Sequence, residues 1–526
     1  MSIASVPRLV ADLAARLRSL ETEFHRAYWN VQVSATPENE RRRAELELEL
    51  RRVKGDLDTY RAVTDALQHD IHDPVLRRQL EVLRLSLTGN QMDDERRAEI
   101  VRLSSAIERD FATFRPEVGG ERVNDNEIEK ILRTSEDENE RAEAWRASKH
   151  VGAAVADRVK DLVRVRNEVA LELGYPDYYR MALELQEIPE TWLFARLDEL
   201  DRLTSVPFAR WKRDLDDRLQ ERFGVARVMP WHYGDPFFQT LPPGGGVALD
   251  ALLEGTDAAD LALKTFAAWD IDLNGVIESS DLFPRELKCQ HAFCLDVDRS
   301  GKDVRILANI VPGENWTQIM LHESGHAAYD ASIDQKLPYL LRRATHIFVT
   351  EAIAILSGRL VRDPTWLVQV AGAPKDEVAA LAGALRKASA AESLQFARWG
   401  LVMVHFEREL YSDPEGDLDA RWWELVERFQ RIEVPDDPPM GAWAAKIHLA
   451  TAPVYYHNYL LGEMLASQLA AEVRHDDVGL IGSPDAGRFL KDRIFRPGAL
   501  LRWDALIEEA TGRGLSARSF ADDFVI

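Results

Sequence analysis

ERRRAELELELRRVKGDLDTYRAVTDAL, residues 40–67, spaces its apolar side chains three and four residues apart, with acids and bases interleaved. That is the 3.6-residue period of an amphipathic α-helix whose charged face is solvated. The pattern runs from Val6 to about Phe114 and continues over 124–223, broken at LGYPDYY (173–179), where Gly174 and Pro176 end one helix and start another. It returns over 377–433 and 440–475, and short helices close the chain. MPWHYGDPFFQTLPPGGGV, 229–247, cannot be helical throughout and reads as a long loop. The convincing strand pair is CQHAFCLDV and VRILANIV around DRSGKD, within 289–311. No repeat at periods of 20–50 residues is visible, which argues against a solenoid. The expectation is a mainly α fold with one small antiparallel hairpin, forming a single domain over 1–526 with an outer helical segment at 1–115 and the chemistry within 285–475.

Composition narrows the function classes. The 526 residues are 46% hydrophobic and 29% charged, as in a soluble protein with an extensive core. A net charge of -23 repels phosphate backbones and anionic lipid, so nucleic acid and membrane partners are not expected. The first twenty residues lack the continuous apolar segment of a signal peptide, and no run reaches the roughly 18 apolar residues of a spanning helix. Cys289 and Cys294 are the only cysteines, too few for a disulfide framework. A cytoplasmic chain is expected.

The hairpin is followed at 321–330 by LHESGHAAYD. On a helix, His322 and His326 lie on one face and can point at one metal ion, while Glu323 sits about 100° round, within reach of a water that the metal holds. Zinc in such a site lowers the pKa of its bound water to about 7, and the carboxylate takes its proton as the water attacks a carbonyl. Two histidines and a glutamate also arise by chance in a long chain, so the context decides. The flanks WTQIML and AAYD continue the helix the motif needs, and Glu351, in HIFVTEAIAILSG, follows His326 at a distance that lets a second helix return a carboxylate. Two His and one Glu leave a fourth position open, the ligand set of catalytic zinc. The bland alternative for Glu351 is a buried ion pair with Arg342 or Arg343.

CQHAFCLDVDRSGKDVRI, HESGHAAYD, LPYLLRRATHIFVTEAIA and KIHLATAPVYYHNYLLGEMLASQ, in that order, resemble the angiotensin-converting-enzyme (peptidyl-dipeptidase A) family of zinc metallopeptidases. AYWN at 27–30 and AWRASKHVGAAV at 144–155 extend the similarity towards the N-terminus. The resemblance implies a helical ellipsoid with a deep central channel, one Zn2+ held by His322, His326 and Glu351, and Glu323 as general base and acid. It further implies that the backbone at His291 and Ala292 pairs with an extended oligopeptide substrate, that Lys446 binds its C-terminal carboxylate, and that His448 donates to the developing oxyanion. Two family tyrosines three apart fall on Tyr456, at the carboxylate, and Tyr459, at the tetrahedral intermediate, if the loop is one residue longer; without the insertion they fall on Tyr455 and Asn458.

Three departures matter. The Asp expected four residues after the ligand Glu is Ile355, so the surroundings of the ligands must differ. The Arg tied to chloride activation is Asn458, and the Gln that helps clamp the terminal carboxylate has no clean match in MPWHYGDPF. Strict dipeptide release is therefore weighed against endo-acting oligopeptidases of the thimet oligopeptidase and oligoendopeptidase type, which share the two His plus distant Glu, and against a catalytically silent metal-binding helical protein. An intact Glu323 argues against the last. DIDLNGVIESSD, 270–281, mimics a calcium loop but ends in Asp281 where a Glu is usual. A second metal cluster at Cys289, His291 and Cys294 is disfavoured by strand alternation.

Overall fold

Caps cut the N-terminal helical run into pieces. Thr36, Asp56, Asp73 and Asp93 each accept a backbone N–H at the start of the next helix, giving Pro37–Lys54, Leu57–Leu67, Pro74–Thr88 and Asp94–Thr113 after a first helix Val6–Val33. Asn124 and Glu127 form a capping box at Asp125–Thr134. The computed structural model describes residues 3–242, 244, 246–475 and 479–524. It is 68% helical, with two small antiparallel two-stranded sheets, so the mainly α expectation holds.

The chain divides into two compact units. One comprises Met1–Gln91, Ala248–Ala382 and Leu461–Phe520. In it the apolar stripe Val6, Val10, Leu13, Leu17 and Leu20 packs with Leu46, Val53, Val63, Leu80 and Leu83, all buried. Taking such a side chain fully out of water is worth about 1.5–3 kcal/mol. Its strands Phe293–Asp296 and Val304–Leu307 pair in the register Phe293↔Leu307 to Asp296↔Val304. This hairpin is shorter than 289–311, because the segment before Phe293 is pulled off the sheet: the Cys289 N–H donates to Gln32 O at 2.8 Å and Leu287 O accepts from Ala35 N at 2.9 Å. His291 and Ala292 thus precede the strand instead of lying in it. Strand alternation therefore does not reach His291.

The other unit comprises Met92–Val247, Gly383–Leu460 and Ala521–Ile526. A helix does end at Glu172 and another starts at Tyr178, with Gly174 at φ 87° between them. Among its described residues, the loop from Met229 contains a single short turn of helix, Pro230–His232. A second hairpin, Glu117–Val118 with Glu121–Arg122, turns on Gly119 and Gly120, both left-handed.

Candidate active site

The first unit builds a three-ligand group. His322, Glu323 and His326 ride on the helix Glu314–Ser332, and Glu351 on the helix Ile347–Arg359. The two helices cross at Gly325, where an added Cβ would lie 2.8 Å from Ala354 Cα and 3.0 Å from Ile353 O. A side chain there would push Glu351 away. The glycine of HESGH is thus what lets the ligands meet.

The Nε2 atoms of His322 and His326 lie 3.7 and 3.9 Å from the same Glu351 oxygen. One ligand atom from each of the three residues falls within 4.8 Å of the others. His326 Nδ1 is 2.7 Å from Thr350 Oγ1, a partner that leaves Nε2 free to ligate. Burial pushes the imidazoles down, His322 to about 4 and His326, beside His322, to about 3, so both are neutral near pH 7. Two bare imidazole nitrogens and a carboxylate oxygen with room between them fit zinc. Arg342 does not compete for the carboxylate: it donates to Leu337 O and Gln335 Oε1. Thr350 stands where sequence reasoning saw only a gap at Ile355, whose side chain instead packs towards Gly462. Thr350→Val is expected to weaken zinc binding about 10- to 100-fold, measured by competition with a chromophoric chelator; unchanged affinity would deny Thr350 this role.

Glu323 is 8% exposed. Burial and the nearby Glu351 carboxylate raise its pKa to about 8, against the lowering effect of the Cys294 backbone amide, which donates to it. The edge strand thus holds the carboxylate that neighbours the ligands. Among the described residues no backbone–backbone hydrogen bond outside regular elements engages His291 or Ala292.

The second unit holds the remaining candidates. Lys446 Nζ donates to Gln239 Oε1 at 2.7 Å and lies 5.2 Å from the Trp399 ring. Trp399 Nε1 in turn donates to the Tyr456 hydroxyl at 2.9 Å. Gln239, two residues past MPWHYGDPF, is thus a glutamine that contacts Lys446, where the sequence offers no clean match within that stretch. Its loop is fixed by Asp235, whose carboxylate accepts from the N–H groups of Phe237, Gln239 and Thr240, and by Gln395 and Gln430, which donate to carbonyls of the same turn. Burial lowers the Lys446 pKa to about 8, with Asp235 opposing. His448 lies with its ring 5.5 Å from that of Tyr456, and the Tyr459 ring is 5.2 Å from Tyr455 and 5.4 Å from Tyr456. Asn458 is buried and donates to Gln186 Oε1 at 3.1 Å, so a neutral amide stands where the resemblance has its Arg.

The decoys resolve into ordinary contacts. Asp270 pairs with Lys491, Asp272 caps Asn274, and Asp281 pairs with Arg285 and Lys288. Cys289 and Cys294 are free thiols. No helix among the described residues is long and apolar enough to cross a membrane.

Comparison with known proteins agrees with the site. Residues 3–200 match the family model described as angiotensin-converting enzyme, and residues 263–526 match the one described as peptidase family M3. No curated protein matches the chain. Both matched families are zinc metallopeptidases that act on peptides. Because the M3 match takes in just over half of the chain, with all three ligand candidates and Glu323 inside it, the chain belongs to peptidase family M3 and is a zinc metallopeptidase.

Proposed function

We propose that the enzyme removes dipeptides from the free C-termini of oligopeptides in the cytoplasm. The observation that carries this reading is the Lys446–Gln239 pair, a half-buried cation 2.7 Å from an amide that sits on a fixed loop. Such a pair suits a terminal carboxylate. The two free thiols support a reducing compartment.

Zinc, when bound by His322, His326 and Glu351, polarises a carbonyl and makes water a stronger acid. Glu323 takes the proton of the attacking water and hands it to the leaving amine. Its raised pKa suits a base that must also serve as an acid near neutrality. His448 and the Tyr459 hydroxyl donate to the oxygen on which negative charge develops. Lys446, Gln239 and Tyr456 hold the terminal carboxylate, and the backbone of His291 and Ala292 aligns the peptide as an added strand.

Amidating the C-terminus of a good substrate is expected to lower kcat/KM by at least about 30-fold, the lower end for unpairing a buried charged hydrogen bond. For the free-acid peptide, kcat/KM should also fall about tenfold per pH unit above pH 8, where Lys446 in the free enzyme loses its charge. The amidated peptide is the control for other titrations, Glu323 among them. Equal kcat/KM for both peptides, with cuts at internal bonds, would move the assignment to an endo-acting oligopeptidase.

A further inference from the structure

Val454, directly ahead of Tyr455, has a backbone φ of 53°. Glycine takes that left-handed conformation freely; a β-branched residue is strained in it and stays only where its surroundings hold it. Here they do. Glu407, 3% exposed on the helix Lys375–Ser412, accepts the Val454 N–H at 2.7 Å. Gln186, which caps the helix Tyr178–Leu185, donates its Nε2 to Val454 O at 3.1 Å. The Gln186 oxygen also accepts from Asn458 Nδ2 at 3.1 Å and lies 3.1 Å from His457 Nε2.

A third side chain holds the other end of the same arc. Arg166, on the helix His150–Glu172 and 5% exposed, donates to Ala450 O at 2.7 Å and to the Tyr411 hydroxyl at 3.0 Å. Three side chains, two on helices and one at a helix end, therefore grip residues 450–458 at several points. His448 precedes that arc, Tyr455 and Tyr456 lie on it, and Tyr459 follows it by one residue. None of Glu407, Gln186 and Arg166 has a part in the hydrolysis set out above.

We propose that Glu407 is a positioning residue for hydrolysis: by holding Val454 left-handed, it fixes the direction in which the turn delivers Tyr456 and Tyr459. The proposal rests on the reading of Tyr459 as an oxyanion donor. A donor displaced by about 1 Å costs on the order of 100-fold, so a loosened turn shows in kcat more than in zinc content.

The test compares kcat, KM and bound zinc for Glu407→Ala, Glu407→Gln, Gln186→Ala and Tyr459→Phe, with Val454→Gly added to each of the first three. Glu407→Ala should lose about 10- to 100-fold in kcat with bound zinc unchanged, and Glu407→Gln, which keeps an acceptor oxygen, should stay within about threefold of the parent. Val454→Gly should restore about tenfold of the Glu407→Ala loss, because glycine holds the turn without the carboxylate. Should Glu407→Ala not fold, Gln186→Ala, which releases the other side of the Val454 peptide, carries the same expectation and the same rescue. A kcat loss that Val454→Gly leaves unrepaired, or no loss at all beside an impaired Tyr459→Phe, overturns this proposal alone. An undiminished Tyr459→Phe overturns the oxyanion reading and this proposal with it.

Discussion

Glu323→Gln is expected to lower kcat by about 10²- to 10⁴-fold while bound zinc stays at the parent level. The amide matches the carboxylate in shape, so the packing of a side chain only 8% exposed survives, but the proton acceptor is gone. The Cys294 amide that donates to the carboxylate can still find an oxygen. Loss of turnover with full zinc occupancy therefore separates a role in proton transfer from a role in holding metal. A variant that keeps more than a tenth of the parent kcat would take Glu323 out of the reaction.

Removing a ligand should have the opposite signature. Structural zinc sites bind with roughly 10–16 kcal/mol shared over four ligands, so one ligand is worth about two to three decades in affinity. His326→Ala is accordingly expected to lose zinc on dialysis against a mild chelator and to fall to background activity, with partial recovery in excess zinc. His326 is the informative ligand, because its other nitrogen is occupied by Thr350 at 2.7 Å and only Nε2 faces Glu351. Zinc content that is unchanged in the variant would place the metal elsewhere.

Much of this site is legible in the sequence because helices translate spacing into geometry. HESGH puts two imidazoles on one face whatever else the chain does, and the apolar residues around Glu351 mark a carboxylate of the kind seldom buried unless paired. What stays hidden depends on contacts between distant segments. Gln239 reaches Lys446 across 207 positions of sequence, from a Pro- and Gly-rich loop without periodicity, and nothing local marks it as a partner of that lysine. Thr350 escapes for a different reason: it sits beside the ligand Glu351, while the resemblance directs attention four residues downstream to Ile355. β propensity in CQHAFCLDV overstates the strand, since propensity cannot foresee that Cys289 bonds to the first helix instead of the sheet. The short hairpin at Glu117–Arg122 carries its signal in two glycines between short charged strands, a pattern too brief to stand out from helix ends. Val454 gives no warning at all, because a valine in the left-handed region is a product of tertiary packing.

The measurement that tests the central claim most directly is mass spectrometry of a mixed oligopeptide library after incubation with the zinc-loaded enzyme, with and without chelator, beside Glu323→Gln. The account predicts products shortened by two residues from the C-terminus, absent with chelator and in the variant. A library left intact by the zinc-loaded enzyme, or cleaved equally by Glu323→Gln, would contradict it.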